Sequence, residues 1–112
     1  MIHYQKSGSI FDIQADCLVN PVNCVGVMGA GLAKKFKERH SAQYLTDYKI
    51  KCHHKILVPG APSYFKEKKY WICNFPTKLH YRDPSKLLYI QKGLVQLAID
   101  IDKYSFKSIS IP

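Results

Sequence analysis

The run from Asn20 to Ala33 constrains this chain more than any other: Asn-Pro-Val-Asn-Cys-Val-Gly-Val-Met-Gly-Ala-Gly-Leu-Ala. It follows a short apolar run, Cys17-Leu18-Val19, and leads into a helical pattern, Leu32-Ala33-Lys34-Lys35-Phe36. Strand, glycine-rich loop and helix start form the arrangement that holds a phosphate group. Backbone N–H groups converge on the anion, and the helix N-terminus adds the positive end of its dipole. Gly26, Gly29 and Gly31 supply the permissive backbone. Asn20 and Asn23 precede the loop, each with a donor and an acceptor suited to a sugar hydroxyl. The spacing matches neither Gly-x-x-x-x-Gly-Lys-Ser/Thr nor Gly-x-Gly-x-x-Gly. Loop chemistry alone therefore leaves a plain tight turn and a phosphate site equally open.

With 112 residues, 46% of them hydrophobic, the chain has material for one globular domain with an adequate core. No apolar run approaches the roughly 20 residues of a membrane span. No secretory signal is visible, because Met1-Ile2-His3-Tyr4 already reads as strand, so a cytoplasmic location is expected. Cys17, Cys24, Cys52 and Cys73 form no Cys-x-x-Cys pair, and reduced, mostly buried thiols are expected. Cys52-His53-His54 lacks a second ligand pair at finger spacing, so no metal site is expected. A net charge of +9 suits a polyanionic partner, nucleic acid first among them, and suits simple solubility equally well.

Ile2 to Lys6 alternates as a first strand, and Ser7-Gly8-Ser9 turns the chain. Cys17 to Asn20 reads as a buried strand. A first helix is expected from about Gly31 to Arg39, with Leu32, Ala33 and Phe36 inward. Ser41 is a candidate cap for a second helix reaching about Lys51. Pro62 to Lys66 and Tyr70 to Phe75 read as strands joined by Glu67-Lys68-Lys69. Trp71, Cys73 and Phe75 fall on one face of the second, Ile72 and Asn74 on the other. Lys86 to Tyr104 is the longest helical pattern, and Leu87, Ile90, Leu94, Leu97, Ala98 and Ile101 are its expected core positions. Ser108 to Ile111 begins another buried strand. Strands and helices in alternation predict a layered α/β domain.

Lys78 follows the strand ending at Phe75 and two turn-prone residues, Pro76 and Thr77. It therefore stands on a loop at a strand end, where α/β folds bind their ligands. As an ammonium it would hold a phosphate. As a neutral amine it would attack an electrophilic carbon and form a Schiff base. Next to it, His80, Tyr81 and Arg82 combine rings and a guanidinium, the groups that stack a single-stranded base and hold its phosphate. A half-buried loop aromatic and a local histidine hydrogen bond are the plainer readings of the same residues.

Leu18-Val19-Asn20-x-x-Asn23, followed by Gly26-Val27-Met28-Gly29-x-Gly31-Leu32-Ala33, closely resembles the first ligand loop of macrodomains, the ADP-ribose-binding modules. Asn74-Phe75-Pro76-Thr77-Lys78-x-His80-Tyr81-Arg82 resembles the branch that contains the DarG-type DNA ADP-ribosyl glycohydrolase antitoxins. The resemblance implies a mixed central sheet flanked by helices, with residues 1–112 forming a single partial macrodomain. It implies that ADP-ribose is the ligand, that Asn23 holds the distal ribose, and that the Gly26 to Gly31 loop holds the diphosphate. The implied ligand set is Ser9, Ile10, Asn20, Asn23, Gly26, Val27, Met28, Gly29, Ala30, Gly31 and Thr77. The implied catalytic residue is Lys78, attacking the anomeric carbon, and the implied nucleic-acid contacts are His80, Tyr81 and Arg82. Implied partners are ADP-ribosylated single-stranded DNA, modified on thymidine, or modified protein, and a cognate ADP-ribosyltransferase toxin. No cofactor is implied.

Where the family commonly has an aspartate that reads adenine, this chain has Ser9, a weaker acceptor. The chain stops at Ser110-Ile111-Pro112, where the family continues into a second glycine-rich loop, a helix and a last strand. Without that strand, Ile2 to Lys6 is expected to lose its sheet partner and leave an open edge. A non-catalytic ADP-ribose-binding module, or an inactive remnant, is the alternative to a hydrolase.

Overall fold

The computed structural model describes residues 2–4 and 10–112. Its centre is a five-stranded mixed sheet in the order β1-β5-β2-β4-β3. The strands are β1 (Ile2–Tyr4), β2 (Cys17–Val22), β3 (Ser63–Lys66), β4 (Trp71–Pro76) and β5 (Ile109–Ile111). Neighbours are parallel except for β3, which runs antiparallel to β4. The helices are α1 (Gly31–Arg39), α2 (Ala42–His53) and α3 (Leu87–Tyr104), with a 3₁₀ turn at Ile10–Asp12. These elements match the α/β layering and most of the expected boundaries. Residues 5–9, which hold the rest of the expected first strand and its turn, lie outside the described residues.

The expectation that the first strand lacks a partner is corrected. Ile2, His3 and Tyr4 pair in parallel with Ile109, Ser110 and Ile111. β5 has backbone donors and acceptors on both edges; β2 takes one edge, and β1 satisfies the other.

Alternation along the central strands divides the core. Leu18, Val22 and Ile72 face α1 and α2, meeting Phe36, Tyr44, Tyr48 and Cys52. Cys17, Val19, Cys73 and Phe75 face the other way, meeting Leu97, Phe106 and Ile109. β2 carries a proline in its interior, which a central strand normally excludes. Pro21 is tolerated because of its place in the register. The Val22 carbonyl accepts a bond from Thr77 N–H on the β4 side, so Pro21 faces the β5 side. There the pairing with β5 ends at Leu18, and no ladder bond is lost.

The expected core face of α3 is also partly corrected. Leu87 and Leu94 are exposed, and so is Ala98. The helix instead buries Gly93, Leu97 and Asp100. Gly93 lies against the Phe75 ring, so the helix docks by its smallest residue. Asp100 enters the core because Tyr64 Oη donates to its Oδ2 (2.7 Å) and Gln96 Nε2 to its Oδ1 (2.9 Å). The core meets one edge of the apolar stripe of α3, at Ile90, Leu97 and Ile101, and close approach of the backbone at Gly93 turns the other edge to solvent.

Candidate functional site

β2 and β4 are parallel neighbours, so their C-terminal ends open side by side. Crevices at such ends are where open α/β sheets bind ligands. A cavity of about 780 Å³ lies there. Its floor comes from Pro21, Val22 and Asn23 at the end of β2. One wall is Val27 with Gly29 to Ala33, and the other is Thr77, Lys78, Tyr81 and Ser85. The two loops are laced together around Lys78: Thr77 N–H donates to Val22 O (3.0 Å) and Cys24 N–H to Leu79 O (2.9 Å).

The first loop is shaped by its own backbone and by Asn23. Gly26 has φ +82° and Gly31 φ +60°, both in the left-handed region where a side chain is strained. Asn23 is buried, and its Oδ1 accepts from Val25 N–H (3.1 Å) and Val27 N–H (3.4 Å), while its Nδ2 donates to Val27 O (2.7 Å). Tyr48 Oη lies 2.9 Å from Asn23 Oδ1 and 2.8 Å from the Asn23 carbonyl. One of the two Nδ2 protons of Asn23 is committed to Val27, and the other is available to a ligand. At the start of α1 the N-cap residue, Ala30, supplies no side-chain cap. The first-turn N–H groups of α1 therefore line the cavity beside Gly29 and Ala30, an arrangement suited to an anion.

Of the residues singled out from the sequence, Asn23, Val27, Gly29, Ala30, Gly31, Thr77, Lys78 and Tyr81 line the cavity. Asn20 lies beneath it. Its Nδ2 donates to Tyr44 Oη (2.8 Å), and Tyr44 Oη donates to Asn74 Oδ1, so two registered asparagines are joined through a phenol. Ile10 and Met28 are buried in the α1–α2 side of the core, and Gly26 shapes the loop without lining the cavity. Ser9 lies outside the described residues.

His80 and Arg82 flank the cavity instead of lining it. The His80 and Tyr81 ring centroids are 4.1 Å apart, and the Arg82 guanidinium is 5.6 Å from the Tyr81 centroid. His80 Nδ1 accepts from Arg82 N–H (3.2 Å), which places the ring proton on Nε2. His80 thus supports the turn as well as the tyrosine. The sequence reading missed Tyr48, Ser85 and the apolar lining Pro21, Val22, Leu32 and Ala33. Tyr48 falls at helical spacing among apolar residues, and its signal was the phenol: a buried tyrosine hydroxyl needs a partner.

Lys78 is the one cationic side chain among the described residues that line the cavity, and no carboxylate is among them. Burial keeps the nearby thiols protonated: Cys24 is pushed up to about 11, chiefly by desolvation, and Cys52 is also raised. Chemically, the site offers backbone N–H groups and an ammonium for a diphosphate, an amide for hydroxyls, and an amine nucleophile. Among the described residues, no group of three or more His, Cys, Asp or Glu side chains is placed to hold a metal ion.

This fold, with its glycine-rich loop opposite a strand-end lysine, defines a macrodomain. The macrodomain of Thermus aquaticus DarG superposes with a TM-score of 0.89 at 32% identity, the match taking in 97% of this chain and 74% of that one. The chain belongs to the DarG-type macrodomain family. A curated DNA ADP-ribosyl glycohydrolase of Mycobacterium tuberculosis is 40% identical over 118 residues, a match that takes in the whole of this chain. The chain spans about a third of the length of such curated relatives (32% of that one). DarTG of Thermosipho africanus, solved in complex with ADP-ribose, superposes over 91% of this chain and 30% of its own, with a TM-score of 0.84 at 29% identity. No family model matches the chain.

Proposed function

We propose that this chain binds ADP-ribose in the cavity at the ends of β2 and β4 and removes it from modified DNA. The observation that carries the reading is the cavity wall itself. Glycine backbone and an uncapped helix start face a lone lysine across a space large enough for a nucleotide-sized ligand. The similarity to DNA ADP-ribosyl glycohydrolases, and to a relative solved with ADP-ribose, supports both ligand and reaction. In this reading the loop from Gly26 to Gly31 holds the diphosphate, and Asn23 holds the distal ribose through its free amide proton. The Lys78 amine attacks the anomeric carbon, and the thymidine nitrogen leaves with a proton from the amine, giving a glycosylamine. The bond from the anomeric carbon to the ring oxygen then breaks, the oxygen takes the remaining N–H proton, and an imine on an opened ribose is left. Water hydrolyses that imine, the sugar recloses, and ADP-ribose and the free amine are released. Tyr81 and Arg82 stack and hold the single-stranded DNA, with His80 behind them. The relative whose name joins a DNA ADP-ribosyl transferase to the glycohydrolase in one chain supports a transferase toxin as the functional partner. A cytoplasmic location is part of the same proposal.

A second reading, a binding module without turnover, is favoured by the lack of a carboxylate among the described lining residues. The two readings separate at Lys78. Calorimetric titration with ADP-ribose is expected to show micromolar binding to the parent chain. ADP-ribosylated single-stranded DNA is expected to lose its modification with the parent, and at least about 100-fold more slowly with Lys78→Ala, the loss typical of a removed catalytic group. Equal release by parent and variant would remove Lys78 from the mechanism. Binding without any release would leave the module reading standing.

A further inference from the structure

We infer that Tyr48 is a positioning residue for the cavity, acting through Asn23. The inference rests on the ADP-ribose reading for its functional consequence, but not for its structural content. Tyr48 belongs to α2, is fully buried, and is not itself among the residues that line the cavity. Its hydroxyl reaches both oxygens of that residue, Oδ1 at 2.9 Å and the backbone carbonyl at 2.8 Å. Its single proton serves one of them at a time.

The Asn23 side chain spans the first loop from within. It accepts from Val25 N–H and Val27 N–H and donates to Val27 O. An asparagine amide in such a place has two orientations of similar shape. Three donors converging on Oδ1 select the one that aims Nδ2 at Val27 and leaves its second proton free. Two of those donors, Val25 and Val27, belong to the loop itself. Tyr48 is the third, and it is anchored in a helix packed into the core. Loop and amide thus hold each other, and Tyr48 ties both to the body of the domain. The phenol stays neutral, because burial raises it well above the ordinary tyrosine value, with Cys52 and Cys24 adding to the effect. A neutral phenol retains the proton that the contact requires.

Tyr48→Phe removes one oxygen and keeps the ring that fills the core. In the variant, amide exchange at Val25 and Val27 is expected to accelerate, the Asn23 side-chain amide resonances to shift, and ADP-ribose binding to weaken about three- to tenfold, the loss of one net hydrogen bond. Tyr64→Phe serves as the control. It also deletes a hydrogen-bonded phenol hydroxyl, but the one bonded to Asp100 on the far side of the sheet. It is expected to lower stability without altering exchange at Val25 and Val27 or the affinity. A merely structural role for Tyr48 would make the two variants alike. Unchanged exchange and unchanged affinity in folded Tyr48→Phe would overturn the inference. So would unprotected Val25 and Val27 amides in the parent, a check that needs no variant. If the parent fails to bind ADP-ribose, the reading of the cavity fails, while the exchange rates still decide the role of Tyr48.

Discussion

Gly93 shows how much one missing methyl group settles. A Cβ built there would stand 2.4 Å from Phe75 Cζ, far inside contact distance, and the ring is nearly buried on β4. Glycine inside a helix costs about 1 kcal/mol relative to alanine, so on propensity alone Gly93→Ala would stabilise α3. Overpacking a core costs about 1–3 kcal/mol and wins here. Gly93→Ala is expected to lower stability by about 1–2 kcal/mol in urea unfolding, and the loss should shrink in a Phe75→Leu background, where the neighbour can give way. Additive effects of the two changes would mean that ring and helix do not touch. The same scale explains what could be read of the site. Gly26 and Gly31 announce themselves by residue type, because their positive φ favours glycine, and Lys78 announces itself as a lysine on a strand-end loop. Asn23 was visible as a polar residue ahead of a glycine loop, but its bonds to Val25 and Val27 were not. At Tyr44 and Tyr48 the helical spacing reports which way a ring points and not what its hydroxyl meets. The place of Asn20 beside the loop was legible, but the bond from its Nδ2 to Tyr44 Oη was not.

Helix ends test local chemistry apart from the site. Ser41 caps α2: its Oγ accepts from Tyr44 N–H (3.2 Å) and donates to Glu67 Oε1 (2.7 Å), joining the helix to the β3–β4 turn. Ser41→Ala loses both bonds and is expected to cost about 1–2 kcal/mol, near the upper range for a cap. The other end of the helical set points the opposite way. Ser105, after α3, sits at φ +60°, a conformation that glycine adopts freely. Ser105→Gly is expected to raise stability by up to about 1 kcal/mol, measured by the same urea transitions. A loss there would show that the serine side chain makes contacts that outweigh the strain. The cap at Ser41 was legible because serine before an apolar periodic run is itself a helix-start signal. The stop at Ser105 was legible only from where periodicity ends. The inward face of α3 was half legible: Ile90, Leu97 and Ile101 form one edge of its apolar stripe and meet the core, while Leu87 and Leu94 form the other edge and stay exposed. Periodicity cannot set that rotation without knowing that Gly93 meets Phe75. Likewise, the pairing of β1 with β5 joins segments more than a hundred positions apart, which local patterns do not encode.

Across the whole molecule, buried acids of one kind accumulate on both sides of the sheet. Cys17, fully buried, is pushed from an ordinary 9.0 up to about 12, chiefly by desolvation. Cys73 and the phenols of Tyr44 and Tyr64 are also raised, with desolvation the largest cause in each. All four cysteines are free thiols, three of them buried. Each of these groups is uncharged when protonated, and the folded chain holds its proton more tightly than the unfolded chain does. Unfolding therefore releases protons at alkaline pH, and stability must fall as pH rises above the unfolded value. For Cys17 the decline begins near pH 9 and continues toward pH 12, at a slope approaching about 1.4 kcal/mol per pH unit. Below pH 9 the protonated state is common to folded and unfolded chains, and these groups contribute no slope. Urea midpoints are thus expected to be insensitive to these thiols from pH 7 to 8.5 and to drop steeply between pH 9 and 11. Cys17→Ala, whatever it does to absolute stability, should flatten part of that drop. A midpoint that holds level through pH 10.5, or a slope unchanged by Cys17→Ala, would place the thiol in contact with water and contradict the burial on which both faces of the core depend. Cys24, Cys52 and Tyr48 pack beside the glycine loop, and burial keeps each protonated in the folded chain, Cys24 up to about 11, so the affinity proposed for ADP-ribose is expected to hold from pH 9 to 10.5 while the urea midpoint falls. Affinity that declines already at pH 9 would show that groups under the loop ionise in the folded chain.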